Sequence, residues 1–517
     1  MNKITPFCER IFYALAAVSF FYLTAVALYW NRADPVAITL ATICGLVLLA
    51  GLWRLSCSER FDAFAENGRQ RRIAFWIISG LFLALCLVSA LMQLEDFPRA
   101  DWDIWVIHSE AANIASAPFP ERMRNAEYFY RFPQNGAILM LFTGWYRLWY
   151  LIGGEAVDFN LAAAVLCALF LWVAHLLFYL AVRVLLGNRQ ALLCAVVWVL
   201  VLPFYGYAAT PYSDSMSLPF CTGMLLCLAK LRQTKRPLWG VGAGMLAGLA
   251  LRMKGTYAVL IVAALIWLVM LSLDGIRRKL AALAAFVICL GAVAWALPVF
   301  FAESGIWGRF SREYVKQEWQ VPVTHYFMMA QNPDGPWVYE DNEFTFNLQQ
   351  GKFTFEARTA ICLQMCFDRI AARSPLENLL FTNRKVVETW KDGTLQVNQY
   401  DRDTFYWPDT PVREFFKPGT ALYQVFYYCS NALHFAFLIC LTAGAVRRLL
   451  QKGALLVDGI FFAHLCVFGM FLLELVWEWR SRYLFGYLPF FILAAPAGLE
   501  ALQAGFARLR RGKGQSA

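Results

Sequence analysis

With 517 residues, 60% of them hydrophobic and only 16% charged, the chain is too apolar for water, because soluble domains carry about 25% charged residues. The net charge of +10 does not mark a nucleic-acid partner. The cations are spread over short loops between apolar runs instead of forming one patch, so they read as topology determinants.

The first apolar run follows Lys3 and extends from Ile11 to Tyr29. It is longer than a signal-peptide core, and Asn31 to Pro35 offer no small-residue cleavage site, so it is expected to stay as a span. Twelve spans are predicted in chain order, at 11–30, 36–54, 73–93, 158–182, 190–209, 215–232, 238–251, 256–273, 280–301, 421–446, 455–476 and 483–503. Each is close to the length that a hydrocarbon core of about 30 Å requires. The shortest, 238–251, carries Gly240, Gly242, Gly244 and Gly248, which predicts tight packing on its neighbours. Segment 136–152 is also apolar, but counting it as a crossing inverts the charge bias of the later loops. It is expected to lie in the interface, with Trp145, Tyr146, Trp149 and Tyr150 at headgroup level. Most of the 14 cysteines fall inside the spans, where they act as small apolar residues. Cys362 and Cys366, at i, i+4, are too far apart on a helix for a disulfide.

Lys3, Arg54 to Arg72, Arg183 and Arg189, Lys230 to Arg236, Arg277 to Lys279, Arg447 to Lys452 and Arg508 to Lys513 all fall on one side of the bilayer. That side is predicted to be cytoplasmic, together with both termini. The predicted organisation is an all-α polytopic membrane protein in four parts. Residues 1–72 hold two N-terminal spans and a cytoplasmic loop. Residues 73–301 form a transmembrane core with the outer loop 93–135 and the interfacial helix. Residues 302–420 form a mixed or mainly helical extracytoplasmic domain, with a helix over about 354–390 broken near Pro375. Residues 421–517 hold the last spans and a basic tail.

Polar chemistry gathers on the outer side. Asp101 and Asp103, at i, i+2, suit either a divalent cation (Mg or Mn) or a general base, although Asp is also a favoured helix cap. Asp214 stands at the mouth of a span, where a carboxylate is costly and usually functional; it too is placed to cap the helix that follows. Arg252 and Lys254, and then Arg480 and Arg482, put cations on the translocated side against the topological bias. That points to an anion such as phosphate, or to ion pairing with Glu474 or Glu478. His325, within Thr324 to Met329, is expected to face the site, while His108 and His434 are expected to be structural.

The order of these features resembles the GT-C superfamily of membrane glycosyltransferases. The sequence is a span, an outer loop with Asp, the segment Tyr128-Phe-Tyr130-Arg-Phe-Pro133, an interfacial helix, a second outer Asp, basic turns, and Arg482-Tyr483 opening the last span. Within that superfamily the chain is similar to the bacterial family 39, protein-mannosyltransferase-like branch. The resemblance implies a polyprenyl-phosphate-linked sugar donor and transfer to an envelope glycan, lipid or protein on the extracytoplasmic face of the plasma membrane, with inversion. By resemblance, Asp103 or Asp101 is the general base or a metal ligand, Asp214 is the second acid, Arg482 and Tyr483 hold donor phosphate, and Lys254 matches a basic position; their charge and side of the membrane place Arg480 and Arg252 with them as expected phosphate contacts. Tyr128 and Tyr130 are placed at the acceptor pocket. A transporter or flippase and a non-enzymatic envelope scaffold are the alternatives. The gathering of polar groups at span ends, instead of at the bilayer midplane, favours surface chemistry.

Overall fold

The computed structural model describes residues 4–31, 34–93, 102–116, 123–273, 275–303, 310–397, 411–451 and 457–514. Among them the regular elements are all helical. The protein is a polytopic, all-helical membrane protein, and eight of its helices are long and apolar enough to cross a bilayer. Three shorter apolar helices, Asn188–Leu200, Leu238–Met253 and Gly255–Met270, stand with them. Ser213–Thr234 is 22 residues long, but its polar start and basic end dilute its hydropathy.

One expected span departs from prediction. Residues 190–209 form two helices, Asn188–Leu200 and Pro203–Ala208, separated at Val201 and Leu202. Pro203 has no N–H to donate back into the first helix, so it opens the second. Pro375 behaves likewise at the start of Pro375–Trp390, where Ser374 and Glu377 complete a capping box. The preceding helix ends at Ala371.

Small residues set the packing. In Leu238–Met253, a Cβ on Gly240 or Gly244 would stand 2.6 Å or 2.3 Å from the Ala282 or Phe286 carbonyl oxygen. A Cβ on Gly248 would stand 2.8 Å from the Cβ of Val293. The Ile276–Glu303 helix therefore lies backbone to backbone on this stripe. Gly242 faces the other way, towards Cys227. Two further close approaches occur at the Ala421–Leu450 helix, where Gly45 meets the Ala432 carbonyl and Gly498 that of Cys440.

The helices between residues 310 and 397 cap one end of the bundle. Val321 N–H donates to the Arg131 carbonyl at 3.0 Å, and Tyr326 stacks on Trp477 with ring centroids 5.4 Å apart. Lys385 Nζ donates to the Leu475 carbonyl at 3.0 Å. The cap is held together partly by Arg358, a fully buried side chain whose guanidinium donates to the carbonyls of Lys316, Gln317, Gln320 and Phe353. Four acceptors satisfy a fork that could not otherwise be buried.

Gly244→Ala should destabilise the bundle by about 1–3 kcal/mol through forced separation of two backbones. Gly51→Ala, which meets nothing within 4 Å, should be neutral or slightly stabilising. Thermal unfolding of the two variants in detergent compares them, and equal midpoints would show that the glycine stripe does not carry the contact.

Candidate functional site at the capped end

The site forms where four helix ends meet under the cap. Trp102–Ser116 supplies Asp103 in its first turn. Glu110, later on the same helix and fully buried, accepts from Arg124 N (3.1 Å), Asn125 N (2.8 Å) and Asn125 Nδ2 (2.8 Å). Those bonds hold the start of Ala126–Arg131 and so aim Tyr128 back at Asp103. Tyr128 Oη donates to Asp103 Oδ1 at 2.7 Å, and Asn135 Nδ2 donates to Tyr128 Oη at 2.6 Å. Burial pushes the Tyr128 phenol far above its usual range, and the Asp103 carboxylate pushes it further. It remains a neutral donor.

Asp103 Oδ2 accepts from Tyr212 Oη at 3.0 Å. Tyr212 is the residue before Ser213–Thr234, so this bond ties the first acid to the turn that carries the second. A second tie runs in parallel. Burial lowers the pKa of His108 to about 4, so its ring is neutral at pH 7. Nε2–H then donates to the Pro211 carbonyl at 2.9 Å, and Nδ1 accepts from Tyr146, because a carbonyl can only accept.

Asp214 is 1% exposed and ion-paired through Oδ1 with Lys254 Nζ; its Oδ2 has no hydrogen-bond partner among the described residues. The expectation of a helix cap is not met, because Tyr212 occupies that position and no side chain caps the helix. Lys254 is the single extended residue between Leu238–Met253 and the turn Gly255–Tyr257, and the break directs its side chain into the bundle. Burial lowers the Lys254 pKa against the pull of Asp214, and Arg482 adds to the lowering.

Lys254 Nζ lies over the Tyr483 ring, 5.0 Å from the centroid, and the Arg482 guanidinium lies 5.4 Å from the same ring. Tyr483 Oη donates to Glu478 Oε2, and Arg480 Nε sits 2.6 Å from Glu478 Oε1. Burial would raise the Glu478 pKa, but Arg480 and Arg482 outweigh it, so the carboxylate is held below its usual range. Of the two expected partners for Arg480, Glu478 is the one found. Glu474 instead accepts from Trp390 Nε1 at 2.5 Å. Asp103, Tyr212, Asp214, Lys254, Tyr483, Glu478 and Arg480 thus form a continuous run under the cap.

The other expected residues lie outside that run. Asp101 falls outside the described residues. Tyr130 packs between Phe310 and Trp319. Arg252 Nε donates to the Ala294 carbonyl at 2.6 Å and lines a small pocket with Pro133, Gln134, Leu297 and Phe301. His325 is 1% exposed and bonded through Nδ1 to Thr345 Oγ1 at 2.8 Å, inside the cap. Its neighbour Tyr326 reaches the site instead. Gln134 Nε2 donates to Tyr326 Oη at 2.9 Å, and burial with the charges of Asp103 and Glu478 raises the Tyr326 pKa. One residue along a helix turns the side chain by about 100°, which separates the two.

A divalent cation needs several converging oxygen ligands. Among the described residues no group of three His, Cys, Asp or Glu side chains converges, Asp103 receives two tyrosine hydroxyls, and Asp214 faces an ammonium. Asp101, the other expected ligand, lies outside the described residues, and no step proposed below runs through a metal.

Two measurements test this electrostatic layout. Lys254→Met should destabilise the protein by about 3–5 kcal/mol by leaving Asp214 buried and unpaired, whereas Lys254→Met with Asp214→Asn should recover most of that. A double variant no more stable than the single would remove the pair from the account. Burial lowers the His325 pKa from 6.5 to about 4. The unfolded chain therefore binds more protons between those values, and stability is lost as pH falls from 6.5 to 4. His325→Gln should flatten the unfolding midpoint across that window; an unchanged slope would refute the assignment.

Solved structures with likeness to this chain include two of an archaeal oligosaccharyltransferase. Archaeoglobus fulgidus oligosaccharyltransferase AglB, in complex with an inhibitory peptide and a dolichol-phosphate, is 14% identical, with 80% of this chain and 52% of that one covered at a TM-score of 0.32. The apo form of the Archaeoglobus fulgidus oligosaccharyltransferase is 14% identical over the same shares, with a TM-score of 0.33. The chain spans about half the length of these structures. No curated protein matches it. A family model described as "conserved hypothetical integral membrane protein" matches residues 1–502, and the chain belongs to that family.

Proposed function

We propose that the protein is a membrane glycosyltransferase that moves a sugar from a polyprenyl-phosphate-linked donor to an envelope acceptor hydroxyl, at the capped end and on the extracytoplasmic side. The observation that carries this reading is the run of bonds joining Asp103, from the early loop, to Lys254, Glu478 and Arg480 at later helix ends. It sets a carboxylate beside a cluster of cations in one buried region, as attack by a hydroxyl on a carbon bearing a phosphate leaving group requires.

In this reading Asp103 is the base. Asp214 is tied to Lys254 through Oδ1, which commits it to the ion pair instead of to the acceptor proton. The acceptor oxygen attacks the anomeric carbon as its proton passes to Asp103. The bond from that carbon to the phosphate oxygen breaks, and the electron pair leaves with the lipid phosphate. Lys254, Arg480 and Arg482 stabilise the charge that develops on that phosphate, and Tyr483 holds Lys254 and Arg482 against its ring. A single displacement inverts the anomeric centre. Asp214 Oδ2, buried and without a partner among the described residues, is an acceptor for a sugar hydroxyl. Tyr128 and Tyr326 border the acceptor side.

The test uses the full chain, in nanodiscs and in parallel in sealed vesicles, with a short-chain polyprenyl-phosphate sugar labelled in the sugar and an envelope extract as the source of acceptor hydroxyls. Wild-type protein should release polyprenyl phosphate, and Asp103→Asn should lower the rate by roughly 10²- to 10⁴-fold with an unchanged unfolding midpoint. A wild-type protein that leaves the donor intact while moving it across sealed vesicles would replace this reading with transport.

A further inference from the structure

The Pro375–Trp390 helix of the cap carries two kinds of surface on one face. Positions 376, 379, 380, 383 and 387 recur at three- and four-residue spacing and so share a side of the helix. Its C-terminal part is packed: Val387 and Trp390 are buried, and Asn383 Oδ1 accepts from Tyr22 Oη of the Ile4–Tyr29 helix at 2.7 Å. Towards the N-terminus the same stripe is bare, with Leu376, Leu379 and Leu380 exposed by 64%, 66% and 58%.

The contacts with the Ile4–Tyr29 helix set the depth of this stripe. Tyr29 and Trp30 are exposed aromatics at the end of that helix, the kind of residue that sits at headgroup level. Asn31 Nδ2 donates to the Lys391 carbonyl at 2.8 Å, which fixes the C-terminal end of the cap helix at that level. Tyr22 lies about 10 Å further down the axis, and Asn383 meets it there. The helix therefore slopes from the headgroups towards the acyl chains, and its three leucines extend the face that already touches a span. On the opposite side Asn378 Nδ2 donates to the Ile370 carbonyl at 2.9 Å, and at the edge of the stripe Arg384, one turn from Leu380, is drawn away by donating through Nη1 to the Pro333 carbonyl at 2.8 Å.

We propose that Pro375–Trp390 lies in the lipid leaflet at the capped end, with Leu376, Leu379 and Leu380 among the acyl chains. The cap is then anchored to lipid as well as to the spans. Continuity with the contact on Tyr22 selects lipid over a protein partner, because that contact already sits at the depth of the bilayer.

Photo-crosslinking in native membranes tests this, with full-length Leu379→benzoylphenylalanine and Leu380→benzoylphenylalanine variants. Glu356→benzoylphenylalanine, at an exposed position on the preceding helix, is the comparison. Variants are scored when their gel-filtration profile matches wild type, and Leu376 replaces either leucine position that fails. Mass spectrometry of the crosslinked peptides should show phospholipid adducts at the leucine positions at least about tenfold above position 356. Adducts mainly to polypeptide, or equal lipid labelling at all positions, would overturn the proposal. The readout does not depend on sugar transfer, so it stands or falls apart from the proposed activity.

Discussion

One ion pair, buried where the helix ends converge, organises the capped end of this molecule. Taking a carboxylate and an ammonium out of water costs several kcal/mol each, and Asp214 with Lys254 is stable there only because each neutralises the other. The pair also fixes geometry. It holds the start of Ser213–Thr234 against the break between Leu238–Met253 and Gly255–Tyr257. Tyr483 then brings Ser481–Tyr487 over the ammonium, and Tyr257 fits beneath only because residue 486 lacks a side chain, a Cβ there falling 2.1 Å from the Tyr257 hydroxyl. Ser217 adds a hydroxyl contact to the same ring at 3.1 Å.

Around that centre the roles of the polar groups separate by environment. Asp103 is met by phenols and Asp214 by a cation, while Glu478 is met by a phenol and a guanidinium. Three carboxylates in one region thus have three different neighbourhoods, the situation in which acid, base and counterion roles divide. His108 and Glu110 hold the loop elements that present the run of charges.

Much of this was legible in the sequence for a physical reason. A bilayer demands long apolar helices and penalises charge within them, so the spans and the polar positions at their ends announce themselves. The glycines of 238–251 predicted close packing, and the Ile276–Glu303 helix lies on three of them. Lys254 and Arg480 stand out in the sequence as cations against the topological bias, Asp214 as a carboxylate at a span end, Asp103 as one of two loop acids and Tyr483 by resemblance, and the fold brings them together. Tyr212 and Tyr326 were not singled out, because a phenol near an interface looks the same whether it faces lipid, core or carboxylate. His325 drew attention by its chemistry, yet the side of the helix it occupies is decided by tertiary packing. Arg358 shows the same limit: a cation on a short helix reads as solvated, and only the fold reveals the four carbonyls around it.

The first two spans pack on the Ala421–Leu450 helix. Gly45 abuts the Ala432 backbone, and the Thr24 hydroxyl lies 3.1 Å from that of Thr442, 418 residues further along the chain. At roughly 5–20 residues per second, a ribosome takes some tens of seconds to make that partner. For that interval the earliest helices reside in the bilayer with the polar edge of Asn31 and the bare groove at Gly45 unmatched, exposed to insertion machinery and to neighbouring nascent chains. Assembly of this protein is therefore a problem of delayed pairing, solved only when the last quarter of the polypeptide has been translated.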